Sequence, residues 1–299
     1  MKVLVLHTLP PKRAGRNRLA DEFDLCVHAR NIASVLDDPV VCGVRGSPDE
    51  MFGALDTHKP DVVFNLCEAP LGRPDLEPHA AAMLEWLGIP FTGCGSATLA
   101  LCRRKDRTKA VLAAAGVPVP KTVSSSFPCI VKPMDEDGSF GLDHDSICDT
   151  PQAMARHAKY ALVEEFLPGR EFAVSVWGKS DPDHVSIGET VFRENLRLIT
   201  YAAKWRVESA DFANSPLFYD TSIDAPLRGR IVELARASWS AVGARHALRV
   251  DIRLDRGGSP RVLDVNPNPE IGPGVGICRA VREAGWEWRD FVRKLVEWA

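Results

Sequence analysis

Arg249-Val250-Asp251-Ile252-Arg253-Leu254-Asp255-Arg256-Gly257-Gly258-Ser259-Pro260-Arg261-Val262-Leu263-Asp264-Val265-Asn266-Pro267 is the stretch on which the fold turns. Two β-rich runs, Arg249 to Leu254 and Arg261 to Val265, meet across Arg256-Gly257-Gly258, which predicts an antiparallel hairpin. Side chains alternate along a strand, so Asp264 and Asn266 share a face, and the hairpin sets Asp251 on the neighbouring strand. Oxygen ligands of this kind suit magnesium, which takes one or two carboxylates together with substrate phosphates and keeps some water. Taken alone, D-x-N also fits a strand-end turn, since Pro267, Asn268 and Pro269 follow.

Upstream of the hairpin, strands are expected near Phe172 to Trp177 and Val185 to Val191. Ile231, Leu234, Ala235, Ser238, Trp239 and Val242 fall at helical spacing between Pro226 and Gly243. Downstream, Trp288, Phe291, Val292, Leu295 and Val296 mark the apolar face of a C-terminal helix. The N-terminal third reads differently. Short runs at Val3 to Leu6, Val40 to Gly43 and Val62 to Leu66 alternate with helical patterns at Leu25 to Leu36 and Leu76 to Leu87, which predicts a parallel sheet. Between these parts lie a helix from Asp106 to Ala115, a strand ending at Lys132, a helix start at Thr150-Pro151 and a strand from Leu162 to Phe166. The expected class is α/β in three parts: an N-terminal parallel-sheet domain over 1–92, a central α/β part over 93–166 and an antiparallel-rich C-terminal part over 167–299.

Composition narrows the partners. The 299 residues carry a formal net charge of −3, and the densest basic cluster, Arg103 to Lys109, is interrupted by Asp106, which argues against nucleic acid. The apolar stretch after Lys2 stops at His7, too short for a signal peptide or a membrane span, so a cytoplasmic protein with no membrane partner is expected. Eight cysteines without a C-x-x-C pair read as reduced packing residues.

Two further features concern phosphate. Lys132 closes the run Cys129-Ile130-Val131, an odd place for an ammonium unless it meets phosphate oxygens, and Lys105 precedes it by one helix and one strand. The loop from Asp135 to Gly141 contains two glycines whose neighbourhood could close over a triphosphate, although its acidic residues work against that. Val163-Glu164-Glu165-Phe166-Leu167-Pro168-Gly169-Arg170-Glu171 leads from one strand into another through a tight connection. Backbone groups there can bind a purine edge and Glu171 can accept from ribose hydroxyls, or the segment is a plain hinge.

In order along the chain stand Phe64-Asn65, Leu84 to Gly93, Lys105 with Thr108-Lys109, Val131-Lys132-Pro133, Val163 to Phe166 with Gly169-Arg170-Glu171, Tyr201 to Trp205, Arg249-Val250-Asp251 and Asp264 to Pro267. This order resembles the D-alanine:D-alanine ligase branch of the ATP-grasp superfamily. The resemblance implies an ATP-grasp fold and an ATP-dependent ligase that activates a small amino-acid-derived carboxylate as an acyl phosphate for attack by nitrogen. It implies ATP with magnesium, or manganese in its place, as cofactors, and a homodimer. It assigns Lys105, Lys132 and Lys204 to the phosphates, Glu164, Glu165 and Leu167 to adenine, and Glu171 to ribose. It assigns Asp251, Asp264 and Asn266 to the metal, with Asp264 replacing the family's usual glutamate. Arg249 and Lys204 stand at the reacting centre, Ser139 in the phosphate loop, and Glu22 where the substrate amine would be held; Glu22 is equally an exposed acid in the first turn of a helix from Asp21.

The departures cluster around the amino-acid pocket. His7-Thr8-Leu9-Pro10-Pro11 replaces the family's N-terminal glycine pair, Cys67-Glu68 a His-Gly pair, Gly138 a serine, Trp205 a tyrosine, and Pro269 to Gly274 the second-substrate turn. The expectation is therefore an acceptor other than D-alanine, with ring closure of O-ureido-D-serine to D-cycloserine in antibiotic biosynthesis as the specific reaction. Dipeptide ligation and non-catalytic ATP binding on the same fold are the alternatives.

Overall fold

Three sheets, each built from a contiguous stretch of chain, organise the computed structural model. It describes residues 1–10, 16–135, 138–157, 161–219, 221–274 and 276–299, with the side chains of 16–24 excepted. The first is parallel, in the order β2-β1-β3, from β1 (Val3–Thr8), β2 (Val40–Val44) and β3 (Val62–Leu66), with α1 (Arg16–Ala33) and α2 (Pro48–His58) as crossovers. Every residue of β1 is buried, as befits a central strand covered on both faces, and this explains its unbroken apolar run from Val3 to Leu6. α3 (Glu77–Trp86), α4 (Ser96–Cys102) and α5 (Lys105–Ala114) follow. The second sheet is antiparallel, β5-β4-β6, from β4 (Cys129–Pro133), β5 (Ile147–Cys148) and β6 (Ala161–Glu165), with the one-turn α6 (Pro151–Met154) capped by the Thr150 hydroxyl.

The third sheet has five antiparallel strands in the order β11-β10-β7-β8-β9. Its members are β7 (Glu171–Gly178), β8 (His184–Thr190), β9 (Leu217–Phe218), β10 (His246–Leu254) and β11 (Pro260–Asn266). Two short helices, α7 (Tyr201–Trp205) and α8 (Ala210–Ala213), interrupt it. α9 (Ala225–Val242) covers one face, and α10 (Gly276–Glu283) and α11 (Trp288–Trp298) end the chain.

α9 shows how sequence becomes packing. The Asp224 carboxylate accepts from the Leu227 amide, Pro226 occupies the first turn where no amide partner is needed, and Gly243 ends the helix in the left-handed region at φ 65. Its stripe Ile231, Ala235, Ser238, Trp239 and Val242 is buried, and the Trp239 indole donates to the Ser180 carbonyl at 3.0 Å. Truncating Ile231, which is fully buried, to alanine would cost about 2–5 kcal/mol.

Packing crosses the expected part boundaries. Leu99, Leu112 and Val117 share one core with Phe172, Val174 and Trp239, so α4 and α5 rest on the five-stranded sheet's helix. β4 and β5 keep a small core of their own at Cys129, Val131 and Cys148. On the parallel sheet, Val5 and Phe64 pack against Phe291, Val292 and Leu295 of α11. All eight cysteines are free thiols. Among the described residues, no helix is long and apolar enough to cross a membrane.

Candidate active site

The hairpin delivers its charged face with cross-strand precision. Asp251 pairs directly with Asp264, and Arg249 with Asn266, ahead of a register shift between Asp251 and Ile252. Two carboxylates placed opposite one another repel and need cations to hold them. Arg249 donates from Nε and Nη2 to the two oxygens of Asp251 at 2.9 and 3.1 Å. Lys105, from the first turn of α5, sets its ammonium 3.0 Å from Oδ2 of Asp264. Burial pushes the Asp264 carboxyl upward, but the ammonium groups of Lys105, Lys132 and Lys109 outweigh it and hold it below the usual carboxylate range.

Oδ1 of Asn266 accepts from the Asn268 amide at 2.9 Å, so the turn that D-x-N suggested is present. A carbonyl oxygen with a second lone pair remains a ligand, and the turn and metal readings coexist. Among the described residues no three His, Cys, Asp or Glu side chains group as a metal site. Two opposed carboxylates and an amide oxygen nevertheless make the hard donor set that magnesium shares with phosphate and water, and this face fits it.

Behind that face, Glu164 of β6 is completely buried, with Lys109 Nζ 2.6 Å from Oε1 and Lys132 Nζ 2.6 Å from Oε2. The side chain that the resemblance assigned to adenine is thus turned into the protein toward two ammonium groups and is not offered to a base. Burial, reinforced by the Lys132 charge, lowers the Lys109 ammonium to about 8, against the opposing pull of Glu164. Lys105 and Lys109 stand one helical turn apart, so α5 sends one ammonium to the five-stranded sheet and the other to the three-stranded sheet. Lys109 was given no role from the sequence, although its i,i+4 spacing from Lys105 was the available signal.

The connection after β6 is held firmly. Glu165 Oε1 accepts from the Lys121 amide at 2.9 Å, the Phe166 amide donates to the Pro128 carbonyl at 3.1 Å, and Leu167 is buried. Glu171, also buried, faces Nη1 of Arg253 at 3.0 Å. Burial raises its carboxyl, with Arg253 acting the other way. Arg253 further donates to the Gly169 and Arg197 carbonyls at 3.2 and 2.7 Å and lies over the rings of Phe166 and Phe192. A cavity of about 320 Å³ opens beside this connection, lined by Phe166, Phe192, Arg197 and Arg253. Arg253 is a second residue without a role from the sequence, though it shares strand parity with Arg249 and Asp251.

A larger cavity of about 390 Å³ lies where the parallel sheet meets the hairpin face. Lys204, Arg249 and Asn266 line it, as do Glu68, Glu77 and Glu270. Asn268 Nδ2 donates to Glu77 at 2.7 Å, and His28 Nε2 lies 3.6 Å from Glu270. Over this cavity two segments meet: the Trp205 indole donates to the Gly138 carbonyl at 2.7 Å, the Tyr201 amide to the Leu142 carbonyl at 3.0 Å, and Phe140 packs 5.0 Å from the Tyr201 ring. Gly138 and Phe140, on either side of Ser139, contribute to the lining. Ser139 itself adopts φ 62, a strained conformation for a serine. The side chain of Glu22 lies outside the described residues, as do Glu136 and Asp137 of the loop and Asp220 at the end of the second closing segment.

A family model described as "D-ala D-ala ligase C-terminus" matches residues 104–297, which hold all three lysine contacts, the hairpin and the connection after β6. The chain belongs to this family. It is an ATP-dependent carboxylate–amine ligase of ATP-grasp fold. Among relatives, the ligase is 30% identical to the Sinorhizobium fredii protein y4sG over 253 residues, covering 79% of this chain and 74% of that one. It is 28% identical to the D-alanine–D-alanine ligase of Rhizobium meliloti over 270 residues, 83% of each chain. In fold it superposes on the D-alanine–D-alanine ligase of Bacillus anthracis in its complex with ATP, with a TM-score of 0.74 and 16% identity over 99% of this chain and 96% of that one.

Proposed function

We propose that this ligase activates the carboxylate of one small amino-acid derivative with ATP and closes a ring by attack of a nitrogen within the same molecule, with O-ureido-D-serine as substrate and D-cycloserine as product. A carboxylate is a poor electrophile, and the γ-phosphoryl it must attack is crowded by negative charge. Lys105, Lys132 and Lys204 supply positive charge around the nucleotide's phosphates, while Glu165, Leu167 and Glu171 hold its adenosine part. Magnesium bound by Asp251, Asp264 and Asn266 would neutralise phosphate oxygens and orient them for transfer. Arg249 offers its guanidinium to the oxyanion formed when nitrogen attacks the acyl phosphate. The Trp205–Gly138 contact keeps water from the acyl phosphate, which would otherwise hydrolyse. Glu22 remains the proposed partner of the substrate amine, and Ser139 belongs to the closing loop. The protein is proposed to work in the cytoplasm as a homodimer.

The observation that carries this reading is the Asp251–Asp264 pair, balanced by Lys105 and set beside a cavity that Lys204 and Arg249 enter. Ring closure needs no site for a second amino acid, which suits the altered turn bearing Glu270 in that cavity. Dipeptide ligation is the second reading, favoured by relatives named D-alanine–D-alanine ligase. Screening amino-acid derivatives for ADP release separates the two. ADP release with one derivative alone and a cyclic product is expected; a requirement for two amino acids, with a linear product, would replace ring closure by ligation.

A further inference from the structure

Glu164 has two lysine ammonium groups at ion-pair distance, one on each oxygen at 2.6 Å. The three groups sit at or under a tenth exposed. At that separation each contact is a charge-assisted hydrogen bond between groups withdrawn from water. The cluster's net charge is +1, and the two lysines divide the work unequally. The two side chains are equally buried, but the Nζ of Lys109, from α5, is sealed from solvent with the carboxylate oxygens, whereas Lys132 sits near the end of β4, next to the loop that faces the larger cavity. A carboxylate with one lysine partner would neutralise it. With two, one ammonium remains uncompensated.

We propose that Lys109 is a positioning residue for the nucleotide: by balancing Glu164, it leaves the charge of Lys132 available to phosphate. This rests on the reading above that Lys132 meets the phosphates of ATP. Replacing Lys109 by methionine, of similar length and without charge, leaves Glu164 to Lys132 alone, and the pair becomes neutral. Replacing Glu164 by glutamine as well restores an uncompensated Lys132. A role confined to packing makes the opposite demand, since a second substitution in a buried cluster adds damage.

The test compares dissociation constants for ATP and for adenosine, which has no phosphate, in the wild type and in Lys109→Met, Lys109→Met/Glu164→Gln, Lys109→Arg and Lys132→Met. In Lys109→Met, ATP binding is expected to weaken tenfold or more while adenosine binding changes less than threefold. The double variant should return to within about threefold of wild type, and Lys109→Arg should stay there. Equal loss for ATP and adenosine in Lys109→Met, or a double variant weaker for ATP than the single one, overturns the proposal. Should Lys109→Met fail to fold, Glu164→Gln alone decides: ATP binding kept or tightened supports charge balance, and a tenfold loss overturns it. Lys132→Met checks the underlying reading separately, because unchanged ATP affinity there removes Lys132 from the phosphates whatever Lys109 does.

Discussion

Nδ1 of His246 accepts a hydrogen bond of 2.9 Å from the backbone amide of Gly93, which ties the start of β10 to the segment leaving the parallel sheet. Arg245 reinforces the tie, donating to the Gly93 and Phe91 carbonyls at 2.8 and 3.2 Å and lying over the Phe91 ring. An imidazole that accepts at Nδ1 is neutral. Burial, helped by the charges of Arg245 and Lys179, lowers His246 to about 3, against a backbone contact with Trp298 that opposes the shift. The sheet that shapes one wall of the larger cavity is thus joined to the sheet bearing Arg249 through a group that cannot be charged without breaking the joint.

Stability should therefore fall with acid before the carboxylates titrate. With a folded value near 3 and an unfolded value of 6.5, the unfolded chain binds the extra proton between them, so stability rises with pH across that window and is lost as pH falls through it. From pH 6.5 to 5 the loss amounts to about 2 kcal/mol at most. His246→Asn suits the left-handed backbone at φ 65 and does not titrate. Denaturant midpoints measured against pH should show the slope in the wild type and a flattened one in this variant.

Asp264→Ala and Lys132→Ala should each reduce turnover at least a hundredfold with the fold retained. Asp264 is part-exposed, and Lys132→Ala leaves Glu164 its partner Lys109. ADP release and circular-dichroism melting measured together distinguish this from unfolding. Wild-type rates in either variant would remove that residue from the site.

How much of this could be read from the chain depends on the range of the signal. The hairpin, α9 and the C-terminal helix follow from local alternation, helical spacing and caps at Pro226 and Gly243, and they stand within a few residues of expectation. α4 and the two-residue strands β5 and β9 have little periodicity of their own and exist because neighbours pack on them, whereas α10 carried a signal that went unread, Ile277, Cys278, Ala280 and Val281 on one buried face. That Asp251 and Asp264 stand on adjacent strands was readable from the two runs and the glycine turn; that they face one another was not, because it depends on the register shift between Asp251 and Ile252, without which Asp251 would oppose Leu263. That Glu164 would meet Lys132 was not, because it depends on β6 pairing with β4 across an intervening loop and helix, and register between distant strands is set by tertiary packing.

Breaking the pair of Glu171 and Arg253 should cost stability in a way that a second change relieves. Both side chains are buried, at 3.0 Å, and Arg253→Leu leaves a carboxylate without its guanidinium. A buried ion pair broken on one side costs about 3–5 kcal/mol. Glu171→Gln added to Arg253→Leu removes the stranded charge, so the double variant should be more stable than the single one in denaturant unfolding. Additive or greater loss would mean that the contacts of Arg253 with Gly169, Arg197 and the two rings outweigh its charge.

Trp205→Phe tests whether the two segments over the larger cavity protect the reaction from water. Phenylalanine keeps a ring near Phe140 but loses the indole donor that holds the Gly138 carbonyl at 2.7 Å. The net stabilisation from such a bond is about 0.5–1.5 kcal/mol, enough to shift the closed population several-fold and too little to unfold the protein. Acyl phosphate formed under an opened cover meets water before nitrogen, so the variant should release ADP at near wild-type rate with less amide formed per ADP. The ratio of product to ADP is the measurement. If it stays at the wild-type value while both rates fall together, the tryptophan serves nucleotide binding and not the exclusion of water.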